Sequence, residues 1–110
     1  MAQYTEWSES EIQRRTRRLK ALRSALRLRI LAALAEAESN VGDLEQHLHV
    51  SQPLISWHLN QLRQAGFVEA RRMGREMWYR IRPEMFRALV ADLESLLGFS
   101  LYEDSGKNQG

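Results

Sequence analysis

The sequence predicts a mainly helical domain carrying one β-hairpin, in the order helix, helix, short helix, helix, strand, strand, helix. Three observations predict it. Apolar residues recur at helical spacing through most of the chain. Between residues 67 and 82 the period changes to short β-rich runs. The length, 110 residues, is that of one domain.

Each element has its own signal. Ser8 with Glu11 fits a capping box, so a first helix starts near Ser8, with Ile12, Leu19, Leu22 and Leu26 as its apolar stripe. Ser24 caps a second helix whose buried face is read as Leu28, Leu31, Ala32, Leu34 and Ala35, ending at Glu38-Ser39-Asn40. Gly42-Asp43 opens a short third helix, with Asp43 as N-cap and Leu44 and Leu48 inward. After the turn His49-Val50-Ser51, Ser51 caps a fourth helix that tolerates Pro53 in its first turn. Ile55, Leu59 and Leu62 give that helix one buried face, and Gly66 ends it. Residues 67–72 and 77–82 form the hairpin around Gly74. Pro83-Glu84 starts a last helix, which Phe86, Leu89, Val90, Leu93, Leu96 and Leu97 carry to Gly98. Residues 1–7 are read as an N-terminal extension, 8–98 as the domain, and 99–110 as a flexible polar tail.

Composition excludes several classes. There is no cysteine, hence no disulfide, thiolate metal site or thiol nucleophile. No apolar run approaches the roughly 20 residues of a membrane span, and no signal-peptide pattern is present, so the expected location is cytoplasmic. No glycine-rich phosphate loop or hydrolase motif appears, and Ser56 and His58, two apart on one helix, face different ways; an enzyme is not expected.

The formal net charge is only +2, but it is unevenly spread. Residues 14–29 hold eight basic side chains and no acid, residues 30–62 hold no Lys or Arg, and residues 63–87 hold seven Arg. Two basic blocks around a neutral stretch are the footprint of a nucleic-acid partner. Third and fourth helices joined by a tight turn make a helix-turn-helix, and the hairpin after it is a wing.

Six short motifs then stand in register: Leu19-Lys20-Ala21-Leu22, Arg27-Leu28-Arg29-Ile30-Leu31, Ser51-Gln52-Pro53, Ser56-Trp57-His58-Leu59, Leu62-Arg63-Gln64-Ala65-Gly66 and Arg71-Arg72-Met73-Gly74-Arg75. Over about residues 12–98 the chain resembles the ArsR/SmtB family of small dimeric winged-helix transcription regulators of bacteria. The resemblance implies double-stranded DNA as partner and a palindromic site read by a homodimer. It implies pairing through the first and last helices, here Ile12, Leu19, Phe86, Leu89, Val90, Leu93 and Leu97.

The expected DNA-contacting residues are Ser51, Gln52, Pro53, Ser56, Trp57, His58, Asn60 and Arg63 of the reading helix. Arg71, Arg72 and Arg75 of the wing and Arg23 and Arg27 of the second helix supply the cations for phosphate. Trp57 either packs on sugar or a thymine methyl, or packs against a neighbouring helix.

The family's usual sensors are missing. Asn40-Val41-Gly42-Asp43 stands where relatives carry a Cys-x-Cys pattern, and the last helix has no His, only Asp92 and Glu94. No cofactor is required on this reading. His47 and His49 stand either as a weak nickel or zinc pair or as solvated histidines. Control through a co-regulator protein is the other route, and a protein-docking module is the alternative function.

Overall fold

The computed structural model describes residues 7–100. Its elements are α1 (Glu9–Ala21), α2 (Ala25–Glu36), β1 (Ser39–Asn40), α3 (Val41–Leu48), α4 (Gln52–Gln64), β2 (Val68–Met73), β3 (Glu76–Ile81) and α5 (Pro83–Leu97). This is a winged helix-turn-helix. The extension before residue 7 and most of the tail lie outside the described residues. No described helix is long and apolar enough to cross a membrane.

The capping box opens α1 as its spacing predicts: Glu11 N donates to Ser8 Oγ at 3.2 Å, and Ser8 N donates to the Glu11 carboxylate at 2.8 Å. That backbone bond holds the Glu11 carboxyl below its ordinary pKa. Ser24 caps α2 through Arg27 N at 3.2 Å.

The inward face of α2 differs from the expected one. Ile30, Leu31 and Leu34 are buried, whereas Leu28 is 53% exposed and Ala32 and Ala35 face outward. Apolar residues run all the way round this helix, so spacing alone could not choose its phase; packing against α3, α4 and β3 does. Leu26 belongs to α2 rather than to the stripe of α1.

The segment read as the end of the second helix is a strand. Ser39 pairs with Tyr79 and Asn40 with Trp78, which gives a sheet in the order β1-β3-β2, all antiparallel. Asn40, not Asp43, caps α3: its Oδ1 accepts from Asp43 N at 2.7 Å, and its Nδ2 donates to Glu76 at 3.2 Å. One buried side chain thus links a strand, a helix start and the turn end of β3.

The core is a single cluster of Ile30, Leu34, Leu44, Ile55, Leu59, Leu62, Phe67 and Val68, all at or below 4% exposure. Fully burying side chains of this size contributes about 1.5–3 kcal/mol each before entropy is counted. Gly66 (φ 90°) turns the chain from α4 into the sheet, and Arg82 N donates to Phe67 O at 2.9 Å where the hairpin returns.

Two residues expected at a dimer surface lie in the chain's own core. Leu89 is 9% exposed, and the half-buried Phe86 ring sits 4.7 Å from that of Phe67. The first two turns of α5 pack on the core, and these residues seal it.

Candidate nucleic-acid interface

Burial of Ile55, Leu59 and Leu62 aims the opposite face of α4 outward. That face carries Pro53, Ser56 and Trp57 exposed and Asn60 half-exposed, with Gln52 and Arg63 exposed at its edges. The reason is periodicity: inward residues at i, i+4 and i+7 leave the remaining positions on the far side. His49, in the left-handed conformation at φ 58°, ends α3 and sets the tight turn that presents α4.

Ser51 occupies the N-cap position of α4, but its side chain makes no cap bond, correcting the expected Ser51 cap. The first-turn N–H groups of α4 therefore lack a side-chain partner at an end whose dipole favours anions. Gln52 Nε2 donates to Glu45 at 2.8 Å and ties the two helices of the motif together. Asn60 accepts from Arg63 at 2.9 Å. Trp57 is 54% exposed, so its indole is on the surface rather than packed under a helix.

His58 does not point out with its neighbours. Its Nδ1 accepts from Arg27 Nε at 2.9 Å, and its ring meets Trp57 edge-on at 4.9 Å. An accepting Nδ1 is an unprotonated one, so the ring proton sits on Nε2. Burial first, and the Arg27 charge second, push the His58 pKa below its ordinary value. Arg27 also donates to Ala21 O at 3.1 Å and lies 5.3 Å from the Trp57 ring centroid. This cation is built into the junction of α1, α2 and α4 rather than held out for phosphate. Spacing gave no sign of the Arg27–His58 link, because the partners lie 31 residues apart.

The wing turns on Gly74 (φ 67°) and Arg75, the two residues between paired Met73 and Glu76. Glycine first with an ordinary residue second is the pattern of a type II′ turn, which suits the twist of a hairpin. Its cations divide into two groups. Arg71 pairs with Glu38 at 2.6 Å, Arg80 with Glu69, and Arg82 with Glu84 at 3.2 Å. Arg72 and Arg75 are exposed at the tip, with no described carboxylate within ion-pair distance. Arg23, exposed just before α2, is a third such cation.

Asp92 and Asn40, at the family's sensor positions, have partners within the chain. Asp92 is flanked by Arg15, at 3.2 Å without hydrogen-bond alignment, and by Arg18 at 3.3 Å. Asn40 is spent on its cap and on Glu76. His47 and His49 are both exposed. Among the described residues, no group of three or more His, Asp or Glu is placed to hold an ion.

Large apolar side chains are exposed on α1 and at the C-terminal end of α5. Ile12 and Leu19 on α1 are 40% and 45% exposed, and Leu96, Leu97 and Phe99 at the end of α5 are 49%, 55% and 47% exposed. Val90 and Leu93 are half-buried behind them.

Comparison with known proteins gives the family of the fold. Residues 24–70, which span α2 to β2, match the family model described as "Bacterial regulatory protein, arsR family". The chain is 37% identical over 78 residues to the biofilm growth-associated repressor of Xylella fastidiosa strain Temecula1, covering 71% of this chain and 68% of that one. It is 40% identical over 74 residues to the HTH-type transcriptional repressor SmtB of Mycobacterium tuberculosis, covering 67% and 55%. Among solved structures, an ArsR-like transcriptional regulator from Rhodococcus sp. RHA1 superposes with a TM-score of 0.72 at 30% identity, covering 77% of this chain and 80% of that one. The homodimeric winged helix-turn-helix DNA-binding domain Mb0332 of Mycobacterium bovis gives 0.69 at 30% identity, covering 84% and 87%.

Proposed function

The chain belongs to the arsR family of bacterial regulatory proteins and is a DNA-binding transcription regulator; from that premise we propose that it acts as a symmetric dimer on a palindromic operator. The observation that carries the proposal is the outward face of α4, flanked by the unpaired tip cations of the wing. In this reading the N-terminal half of α4 enters the major groove. Ser56 and Gln52 meet base edges or phosphate, Gln52 after leaving Glu45, and Trp57 lays its ring on sugar or a thymine methyl. Arg72 and Arg75 clamp the backbone or enter the adjacent minor groove, and Arg23 adds a phosphate contact.

The dimer is supported by the exposed apolar ends of α1 and α5 and by the homodimeric Mycobacterium bovis domain. A twofold axis through Ile12, Leu19, Val90, Leu93 and Leu97 would pair those surfaces and present two reading helices to half-sites about one helical turn apart. DNA affinity in this reading is set without nickel or zinc, supported by the engagement of Asp92 and Asn40 by their own neighbours. The test is fluorescence anisotropy with duplex DNA from upstream of the protein's own gene. A site-specific complex of two chains per duplex, unchanged by chelator, is expected; binding as one chain, or binding indifferent to sequence, contradicts the proposal.

A further inference from the structure

The side of α1 that faces away from Ile12 and Leu19 borders a cleft of about 590 Å³. At roughly 100° per residue, Arg14, Arg17 and Ala21 sit about half a turn around the helix from that apolar pair. A dimer built on Ile12 and Leu19 therefore leaves this side of α1 open. The facing wall is the C-terminal half of α4, with Gln61 and Gln64, and Met85 at the start of α5.

The lining is one-sided in charge. Arg14, Arg17 and Lys20 border the cleft together with Arg18 and Arg27, and no carboxylate does. Among the described residues, Arg18 is the one of these five within ion-pair distance of a carboxylate, Asp92 at 3.3 Å. Five cations around one cavity repel one another, and a bound polyanion would remove that cost. The floor of Ala21, Ala65 and Met85 is apolar, and the two glutamine amides supply donors and acceptors above it. The volume falls within the about 300–1,000 Å³ typical of small-molecule sites. Arginine forks match phosphate oxygens two at a time, and five positive charges exceed what one carboxylate or dicarboxylate neutralises.

The DNA-facing end of α4 is elsewhere. Gln61 and Gln64 lie five to twelve residues beyond Ser56 and Gln52, about 8–18 Å along the helix from the end that enters a groove. We infer that this cleft binds a small molecule carrying two or more phosphate groups, and that Arg27 reports its occupation to the reading helix. Arg27 lines the cleft while its Nε holds His58 Nδ1 at 2.9 Å and its guanidinium lies near the Trp57 ring. A phosphate that draws Arg27 inward loosens both contacts on α4, so the ligand distinguishes two arrangements of that helix. The coupling rests on α4 being the DNA-reading helix; the binding does not.

The experiment titrates the full chain with inorganic pyrophosphate, using sulfate at matched ionic strength as comparison, and follows backbone amides and the His58 ring by NMR. Saturable binding of one pyrophosphate per chain is expected, with shifts at Arg17, Lys20, Gln61, Gln64 and His58. The exposed double variant R14A/R17A should weaken it at least about tenfold, since each charge-assisted contact is strong. Duplex affinity should change at least about threefold with pyrophosphate in wild type and not in R14A/R17A. No saturation by about 10 mM, equal response to sulfate, or equal shifts at Arg72 and Arg75 overturns the site. Saturation with no change in duplex affinity overturns the role of Arg27 alone. Duplex binding lost in R14A/R17A without any pyrophosphate binding shows a contact to the DNA backbone instead, and also overturns it.

Discussion

Asn40 joins three parts of the molecule, and its replacement separates them. In Asn40→Ala, α3 loses its N-cap bond to Asp43 N, which costs about 1 kcal/mol. The bond to Glu76 is lost too, worth about 1 kcal/mol at a site where the carboxylate is exposed. The sum, about 2 kcal/mol, is a large fraction of the stability of a domain this size. Asn40→Ser keeps a capping oxygen but not the amide donor, so about half of that loss should remain. N40D is the sharper variant. It keeps the cap and favours the helix dipole, yet sets a carboxylate about 3.2 Å from that of Glu76. In the folded state that pair binds protons more readily than in the unfolded chain, so N40D should gain stability as pH falls. Urea denaturation at pH 7 and pH 4.5, analysed by midpoint, measures all three variants. N40D as stable as wild type at pH 7, or N40A within about 0.5 kcal/mol of wild type, would refute the assignment of Asn40 as a joint.

Two further outcomes are expected. The His58 pKa is lowered in the folded chain, so the unfolded chain takes up that proton first; the stability it contributes is complete above about pH 6.5 and is lost as pH falls through the folded value. His58→Asn, whose Oδ1 can accept from Arg27 without titrating, should flatten that part of the stability–pH profile, and an unchanged profile would show that His58 is not its source. Leu97→Glu places a charge on the exposed apolar end of α5 without touching the core, so light scattering should show a folded monomer with duplex affinity reduced at least about tenfold. A dimer that survives the change would move the interface elsewhere.

Much of the site was legible because its signals are local. Ile55, Leu59 and Leu62 define the buried face of α4 by spacing alone, and Gly74 between two β-rich runs defines the wing. What escaped depends on contacts distant in sequence. A two-residue strand carries no period, so β1 could be seen only once Trp78 and Tyr79 were beside it. The continuous apolar surface of α2 hides its phase: Leu28 reads as inward by type, yet it faces out. Arg27 and Arg71 look like phosphate ligands by type, but His58 and Glu38 already engage them. On α5 the apolar run serves two ends: Phe86 and Leu89 close the chain's own core, and only the residues further along are exposed.

The central claim is that α4 and the wing tip together bind DNA, and the salt dependence of duplex affinity tests it most directly. Each phosphate contact contributes a slope of roughly −0.9 in log affinity against log salt. Replacing Arg72 and Arg75 by Ala in both chains of a dimer removes up to four such contacts. The slope should become shallower by about 2 to 4 with the preference for the operator over unrelated duplex largely kept, while Ser56→Ala should erode that preference and leave the slope unchanged. An R72A/R75A variant with the wild-type slope would contradict the account, because the wing would then not touch the DNA.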